Sequence, residues 1–279
     1  MREVIRWNID NDYYLTEDYK LNNKIALKVH QQGYDAISKK YTHIKAHEIE
    51  NFLKISNKVY GALKGSGIDL GGGVGSVSSV VAKSPLVKEV ICLEITENCV
   101  TKCHPIVIPK ILGKRSDKVK SVIGDFDNLE IENDSLDFAI AWDAIHHSNS
   151  VVDTLSEIRR VLRPGASFIL IDRGHNNFTN DKEIERMLNV QYSKEFLIDN
   201  YLPENKILTR RDNGEHEYRY SEWEIFFRES GFKLESSLIV REKHEKNSKD
   251  KNDAGIEEVF VDYELGGFER QKIIYLLKK

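Results

Sequence analysis

The sequence predicts an α/β protein built on a doubly wound, mostly parallel sheet. From residue 67 onward, short apolar runs alternate with stretches of helical periodicity, and a cluster of glycines follows the first run. Acidic residues end several of the later runs. Runs that are apolar along their whole length are typical of parallel strands covered by helices on both faces. The alternation therefore predicts strands joined by helices that pack on both sides of one sheet.

Five runs are predicted as parallel strands, because each is short and rich in β-branched or aromatic residues. They span residues 67–70, 89–94, 118–123, 136–142 and 167–171. A further strand is predicted at residues 272–277.

The helices between these strands carry boundary signals of their own. Ser150 with Asp153, and Ser221 with Glu224, have the spacing of N-terminal capping boxes. The first of these helices shows a single apolar face, formed by Val151, Leu155, Ile158 and Leu162.

Three regions fall outside the alternation. Residues 1–60 are predicted to be largely helical and amphipathic, and residues 173–220 form a long polar and aromatic insertion after the fifth strand. Residues 241–255 are highly charged and lack large apolar side chains, which predicts a solvated surface loop.

The composition limits the classes of function. The 279 residues carry 41 Lys and Arg against 45 Asp and Glu, a formal net charge of -4, which argues against an electrostatic nucleic-acid binder. No apolar run reaches the roughly 18 residues that span a bilayer, and the N-terminus lacks the pattern of a signal peptide. Three cysteines are too few for a disulfide framework. We therefore expect a cytoplasmic protein that binds neither nucleic acid nor membrane; no oligomer is indicated.

The most informative motif is the glycine-rich stretch at residues 67–75, which ends the first strand and leads into a helix. Glycines let a ligand approach the backbone closely, and the following helix offers unpaired N–H groups. The dinucleotide fingerprint needs a third glycine where Ser76 or Ser78 stands. An oxidoreductase that uses NAD is therefore disfavoured.

This stretch resembles the cofactor-binding turn of the class I S-adenosylmethionine-dependent methyltransferases. The matching residues are Asp69, Gly71, Gly73 and Gly75, with Gly72 between them. In that family the turn wraps the methionine part of S-adenosylmethionine. The resemblance implies a Rossmann-like methyltransferase fold whose sheet has seven strands, the last of them antiparallel and formed by residues 272–277.

Acids at the ends of the next strands match further positions of this family. Glu94 ends the second strand, where a carboxylate accepts hydrogen bonds from ribose hydroxyls. Asp125 resembles the acid that binds the adenine amine, and Phe126 the aromatic residue that packs on the ring. Asp143 ends the fourth strand, at the position of a polar contact near the methyl group. These residues are predicted to bind the cofactor.

A second cluster resembles the active site of sugar and natural-product O-methyltransferases. His146 and His147 lie just beyond the fourth strand, and Asp172 ends the fifth. In those enzymes a histidine of this motif and an acid at the next strand end flank the acceptor hydroxyl. A histidine oriented by an acid accepts a proton near neutral pH. His146 is predicted as the base, with His147 as the second candidate; the alternative is that both histidines only shape the pocket.

Asp143 and Asp172 also allow a different interpretation, because acids at these strand ends hold a divalent cation in catechol-type methyltransferases. Hard oxygen ligands suit Mg²⁺. The spacing matches loosely and the paired histidines stay unexplained, so no metal ligand is assigned.

The acceptor pocket is expected to come from the segments that the core fold lacks. Residues 1–60 are predicted as a helical lid, and residues 61–279 as the methyltransferase domain, in which the insertion 173–220 binds the acceptor. Guanidinium groups bind carboxylates and phosphates, so an anionic or sugar-like acceptor is favoured, and Arg210 and Arg211 are the pair hypothesised to bind an acidic group. The side chains predicted to contact the acceptor are Tyr14, Arg173, His175 and Arg211.

These expectations define one function and two alternatives. The chain is predicted to transfer a methyl group from S-adenosylmethionine to a hydroxyl of a small polar molecule, which leaves S-adenosylhomocysteine. Methylation of nitrogen or carbon is the first alternative. An S-adenosylmethionine-binding partner subunit without turnover is the second.

Overall fold

The computed structural model describes residues 3–10, 12–41, 46–240, 261–262, 268–269 and 271–279. The surface loop predicted at residues 241–255 lies outside this described part, which ends at residue 240 before it resumes at residue 261. Among the described helices, none combines the length and the apolar character that crossing a membrane requires.

One eight-stranded sheet forms the centre of the protein, with its strands in the order β1-β4-β3-β2-β5-β6-β10-β7. Their bounds are Ile5–Arg6 for β1, Gly65–Leu70 for β2, Val87–Glu94 for β3, Val119–Ile123 for β4, Leu136–Trp142 for β5, Leu162–Gly174 for β6, Lys233–Val240 for β7 and Gln271–Lys278 for β10. Strands β8 and β9 pair antiparallel with each other in a separate small sheet, at Val261–Asp262 and Phe268–Glu269.

The predicted α/β fold with a mostly parallel sheet is confirmed. Strands β1 to β6 pair in parallel, whereas β10 pairs antiparallel with both β6 and β7. The sheet has eight strands rather than the seven expected, because the two-residue strand β1 adds an edge strand in which Ile5 pairs with Val122. The strand order reverses between β2 and β5, and open α/β sheets bind ligands at such a point.

All six predicted strands are present, and their bounds differ where the sheet extends beyond the apolar run. Strand β6 begins at Leu162 rather than at residue 167, and β10 pairs with it from Ser167 to Gly174. The sequence analysis assigns no strand to the residues of β7. That strand lies at the edge of the sheet with many of its side chains exposed, so it has no continuous apolar run.

Helices cover both faces of the sheet. Helices α7 (Val151–Val161) and α10 (Tyr220–Glu229) pack on one face, where Leu155 and Trp223 are fully buried. The helices on the other face are α3 (Ala46–Leu53), α4 (Asn57–Ala62), α5 (Ser76–Ala82) and α6 (His104–Leu112). Burial on both sides explains why the central strands are apolar along their whole length.

The two predicted capping boxes are not formed. Ser150 precedes α7 as expected, but its hydroxyl donates to the Asp153 carboxylate and caps no backbone N–H. Helix α10 begins one residue before Ser221. At that helix the backbone N–H of Arg219 donates to Glu222 Oε2, so the box is shifted by two residues toward the N-terminus.

The N-terminal helices pack against the insertion. Helices α1 (Glu17–His30) and α2 (Tyr34–Tyr41) share one apolar cluster with α9 (Lys194–Asp199), which follows α8 (Asp181–Leu188). The cluster comprises Leu21, Ile25, Ala26, Val29 and Ile37 of the N-terminal helices, Val74, Cys99, Cys103 and Val107 of the central region, and Tyr192, Leu197 and Leu208 of the insertion. Because Val74 belongs to the glycine-rich turn, both added segments are anchored beside that turn.

Candidate active site

The glycine-rich turn follows β2 at the carboxyl edge of the sheet and leads into α5. Gly71 and Gly73 have positive φ angles of 65° and 53°, a conformation that glycine adopts without strain. A Cβ at Gly71 would lie 2.6 Å from Ala144 Cβ, whereas a Cβ at Gly73 would meet no atom within 4 Å. The turn is therefore packed closely at Gly71 and open at Gly73, as a cradle for a ligand requires.

Asp69 is almost fully buried below this turn. Its carboxylate accepts a hydrogen bond of 2.5 Å from Ser78 Oγ in α5. Burial raises the pKa of Asp69 to about 7, because a charged carboxylate is poorly solvated there. This hydrogen bond links the end of β2 to α5, the two elements that flank the turn, so Asp69 stabilises the turn from the protein interior.

Glu94, at the end of β3, binds the backbone of the same turn. Its Oε2 accepts a hydrogen bond of 2.9 Å from the N–H of Gly73, and its Oε1 accepts one of 2.7 Å from the N–H of Thr96. Each carboxylate oxygen has a further lone pair. Glu94 can therefore hold the turn and still accept hydrogen bonds from a ribose.

His104 is a buried contact of the turn that the sequence analysis missed. Burial lowers the pKa of His104 to about 4, so the ring is neutral near pH 7. Its Nε2 donates to the carbonyl of Gly73 over 3.0 Å, and its Nδ1 accepts from Ser121 Oγ over 2.9 Å. No local sequence pattern predicts this contact, because Gly73 and Ser121 are far from His104 along the chain.

The residues expected to hold adenine follow β4. Asp125 Oδ1 accepts a hydrogen bond of 2.9 Å from the N–H of Asp127, and Phe126 is half-buried against the core. Tyr14 packs on the apolar cluster that includes Ile123, the last residue of β4. Tyr14 therefore lies near the end of β4, whereas the other predicted acceptor contacts, Arg173, His175 and Arg211, belong to β6 and the insertion.

His146 and Asp172 form a buried pair at the ends of β5 and β6. His146 Nδ1 lies 2.7 Å from Asp172 Oδ1, and the backbone N–H of His146 donates to Asp172 Oδ2 over 3.2 Å. Both side chains have an exposed fraction of 1% or less. The structure thus brings together the two residues that the sequence predicts as base and orienting acid.

His147 lies beside His146 and has a different partner. The two ring centroids are 4.2 Å apart, and His147 Nδ1 lies 2.9 Å from the carbonyl oxygen of Gly214 in the insertion. Desolvation lowers the pKa of His147 to about 4. The ring is therefore neutral near pH 7 and donates Nδ1–H to Gly214.

Arg173 links the two strand ends to the insertion. Its Nε donates to Asp143 Oδ1 over 3.2 Å, and its Nη1 forms an ion pair with Glu215. Burial opposes the charge of Glu215, but the Arg173 guanidinium outweighs it and holds the pKa of Glu215 well below its ordinary value. Glu215 could not be assigned a role from the sequence, since its acidic, polar surroundings look like those of a solvated loop.

The other predicted acceptor residues fall into two environments. His175 Nε2 lies 2.5 Å from Glu217 Oε2, and Glu217 also pairs with Arg210, whose side chain is completely buried. Arg211, by contrast, is exposed and pairs with Glu185 over 2.7 Å. Arg210 is thus held inside the protein by carboxylates, while its neighbour is on the surface.

Asp143 and Asp172, the alternative metal ligands, are both engaged by basic side chains. Asp143 contacts Arg173 and lies 3.5 Å from Lys272 Nζ, whereas Asp172 binds His146. Asp143 also has a positive φ of 55°, an unusual conformation for a residue other than glycine. Basic partners of this kind compete with a hard cation for the carboxylate oxygens.

Comparison with known proteins supports the prediction of a methyltransferase domain. Residues 68–170 match the family model described as a methyltransferase domain. An uncharacterized chloroplastic methyltransferase of Arabidopsis thaliana is 32% identical over 107 residues, which cover 38% of this chain and 30% of that protein. Sterol 24-C-methyltransferase of Gibberella zeae is 32% identical over 137 residues, or 49% of this chain and 32% of that protein.

A solved structure of geranyl diphosphate methyltransferase in complex with S-adenosylmethionine shares the fold. Its TM-score is 0.58 at 13% identity, over 88% of this chain and 89% of that chain. The chain matches only about a third of the length of the two curated relatives. The matches support a methyltransferase domain at residues 68–170 and a fold shared with that solved structure.

Proposed function

Because residues 68–170 match a methyltransferase domain, we propose that this chain transfers the methyl group of S-adenosylmethionine to a hydroxyl of a small polar acceptor. One observation carries the choice of a hydroxyl, namely the buried His146–Asp172 pair with its 2.7 Å contact. A hydroxyl must lose its proton as it is methylated, and an oriented histidine is the usual group that accepts it.

The residues of the cradle fit the cofactor. The open side of Gly73 would admit the methionine part of the cofactor. Glu94, which binds the turn through Gly73, would accept hydrogen bonds from the ribose hydroxyls, Asp125 would bind the adenine amine, and Phe126 would pack on the adenine ring. When bound, S-adenosylmethionine supplies a methyl group that its sulfonium has already activated.

His146 then acts as the general base. Asp172 holds the Nδ1–H tautomer and the orientation of the ring, which leaves Nε2 to accept a proton. His146 Nε2 would take the proton of the acceptor hydroxyl during methyl transfer, and bound S-adenosylmethionine would supply the methyl group and be released as S-adenosylhomocysteine. His147 is the second candidate for the base, and its bond to Gly214 orients its ring in the same way.

The acceptor pocket is closed by the two segments outside the core. Residues 1–60 act as the helical lid of the methyltransferase domain at 61–279, and the insertion 173–220 binds the acceptor. The shared apolar cluster of the two segments, anchored at Val74, supports this arrangement. A lid anchored beside the glycine-rich turn excludes water from the methyl group.

The polar walls near His146 favour an acceptor rich in hydroxyl groups. Arg173 and Arg210 are matched by Glu215 and Glu217, so these walls offer both hydrogen-bond donors and acceptors without a large net charge. A sugar-like molecule uses both kinds of group. The acid-binding role of Arg211 stays a prediction, as do the acceptor contacts of Tyr14 and His175.

Methylation of carbon is the second candidate, because a curated relative carries the name of a sterol 24-C-methyltransferase. Carbon methylation of an alkene needs a base only after the methyl group has been transferred. The two candidates therefore differ in the acceptor and in the step that His146 serves.

The test combines binding with turnover. Calorimetry measures the binding of S-adenosylmethionine to wild type, Glu94→Ala, His146→Asn and the exposed control His47→Asn. Turnover is followed as the formation of S-adenosylhomocysteine, with nucleotide sugars, phosphorylated alcohols and sterols as acceptors. We expect Glu94→Ala to bind S-adenosylmethionine more weakly than wild type. His146→Asn should bind it normally, but its kcat should fall by about 10²–10⁴-fold. Methylation at a sterol carbon without turnover of the hydroxyl acceptors, or a His146→Asn variant as fast as wild type, would overturn the hydroxyl proposal. Binding without turnover on any acceptor would instead indicate a partner subunit.

A further inference from the structure

Two imidazoles and one carboxylate converge between the end of β5 and the insertion. His146, His147 and Glu215 each offer one donor atom, and these atoms lie within 4.8 Å of one another. The residues come from two segments about 70 positions apart, and the contact between His216 Nδ1 and the carbonyl oxygen of His146 holds these segments together. Two imidazole nitrogens with one carboxylate oxygen is a donor set found in zinc and other transition-metal sites.

His146 supplies a buried nitrogen that no group in the described structure satisfies. Its Nδ1 binds Asp172, whereas its Nε2 has no hydrogen-bond partner among the described residues. That Nε2 lies 3.6 Å from Glu215 Oε2, too far for a hydrogen bond. Two ligands held by one tetrahedral ion at 2.0–2.2 Å are about 3.4 Å apart. The separation therefore suits a shared ion better than a direct contact.

Each imidazole is oriented from its opposite side. Asp172 binds Nδ1 of His146, and the Gly214 carbonyl binds Nδ1 of His147. This is the arrangement by which proteins fix metal-binding histidines, because a carboxylate or a backbone carbonyl on one ring nitrogen sets the tautomer and leaves the other nitrogen to the ion. Both rings thus present Nε2 as the coordinating atom.

Two arginine side chains next to the cluster would compete with a metal ion for the Glu215 carboxylate. Glu215 pairs with Arg173 and lies 3.5 Å from Arg210, so two guanidinium groups share this carboxylate. A cation that binds Glu215 must share it with Arg173 or displace it. Imidazole nitrogens select a borderline or soft ion, so Zn²⁺ and Co²⁺ fit this set whereas Mg²⁺, which prefers oxygen ligands, does not.

We propose that His146, His147 and Glu215 form a binding site for a divalent transition metal of the Zn²⁺ type. The sequence alone predicts no metal ligand among these residues. The site uses the Nε2 atom of His146 that, on the proposed function, accepts the proton of the acceptor. Metal binding and base catalysis by His146 therefore exclude each other, and the bound ion inhibits methyl transfer.

The experiment measures metal binding directly. Chelator-treated protein is titrated with Co²⁺ while its visible absorption is recorded, and Zn²⁺ is then added to displace it. The variants are His147→Asn and Glu215→Gln, with His47→Asn as the matched control outside the cluster. Asparagine keeps a donor for the Gly214 carbonyl, and circular dichroism checks that each variant is folded.

We expect one Co²⁺ per wild-type chain with the absorption of a four- or five-coordinate ion, unchanged in His47→Asn. His147→Asn should weaken binding by more than about tenfold, the lower end of the loss seen when even an outer hydrogen-bond partner of a ligand is removed. Failure of wild type to bind one ion, or equal affinity in His147→Asn, would overturn the proposal. Because S-adenosylmethionine binding is measured separately, failure of the metal site leaves the proposed function intact.

Discussion

His146 and Asp172 are joined by two hydrogen bonds, one from the ring Nδ1 over 2.7 Å and one from the backbone N–H over 3.2 Å. Asp172 Oδ1 also accepts from the backbone N–H of Arg173 over 2.8 Å. The carboxylate is thus fixed from two neighbouring strand ends. A fixed acid holds the imidazole in one tautomer and one orientation, which a base that acts in a defined direction requires.

A methyl group added at Gly73 should impair cofactor binding. Its effect on folding stability should be limited to the strain of a left-handed backbone conformation. Its Cβ would enter open space at a φ of 53°. We expect Gly73→Ala to lose about 1–2 kcal/mol of folding stability, the cost of a left-handed alanine, and to bind S-adenosylmethionine at least tenfold more weakly by calorimetry. Gly165→Ala is the matched control, because Gly165 also has a positive φ and open space at Cβ. Equal affinity losses in both variants would contradict this role of Gly73.

Replacing His104 should loosen the glycine-rich turn from within the core. His104→Ala leaves the Gly73 carbonyl and the Ser121 hydroxyl without their buried partner. We expect a loss of about 2 kcal/mol or more in the free energy of unfolding, since unmade buried hydrogen bonds cost 1–3 kcal/mol each, together with weaker cofactor binding. The exposed His47→Ala should change neither quantity in the same urea titrations. Unchanged cofactor affinity in His104→Ala would show that the turn holds its shape without this anchor.

Asp69 should make stability depend on pH in the neutral range. Its pKa is about 7 in the folded protein and 3.8 in its ordinary state, so the folded protein retains a proton that the unfolded chain has released. The stabilising contribution is complete below the ordinary pKa and is lost as the pH rises through about 7. Relative to Asp69→Asn, which does not titrate, wild type should lose about 2–3 kcal/mol between pH 5 and pH 8 in urea unfolding. A pH-independent difference between the two proteins would refute this assignment.

The buried ion pair of Arg210 with Glu217 should be far more sensitive than the exposed pair next to it. Glu217→Gln leaves the guanidinium of Arg210 buried with less compensation, and we expect a loss of about 3 kcal/mol or more. Arg211→Gln removes a surface pair with Glu185, for which about 1 kcal/mol or less is expected. Chemical denaturation of both variants gives the comparison. Similar losses in the two would mean that water reaches Arg210.

The local pattern of the chain predicted the elements that are buried on both faces. The run at 136–142 coincides with β5, because a strand covered by helices must be apolar at every position. The edge strand β7 was not predicted, since many of its side chains are exposed and its sequence contains no continuous apolar run. The capping boxes were misplaced for a related reason, as several polar residues near a helix start compete for the same backbone groups.

The residues of the candidate site that could be predicted from the sequence are those in short motifs or at strand ends, and their roles in binding and catalysis stay predictions. The glycine-rich turn and the acids at strand ends follow directly from their positions in short motifs. The sequence also placed His146 and Asp172 at adjacent strand ends, because parallel strands align their carboxyl ends at one edge. Glu215 and His104 could not be assigned, since each meets its partners only after the chain has folded back across the sheet.

The sequence by itself determined the class of fold, the positions of the central strands and the glycine-rich turn that follows the first of them. Only the tertiary structure decided which charges of the insertion are buried, where Glu215 lies relative to His146, and that Arg210 is inside while Arg211 is on the surface. The physical reason is that charged residues in a polar segment look alike along the chain. Their energies diverge only when folding removes some of them from water and supplies partners of opposite charge.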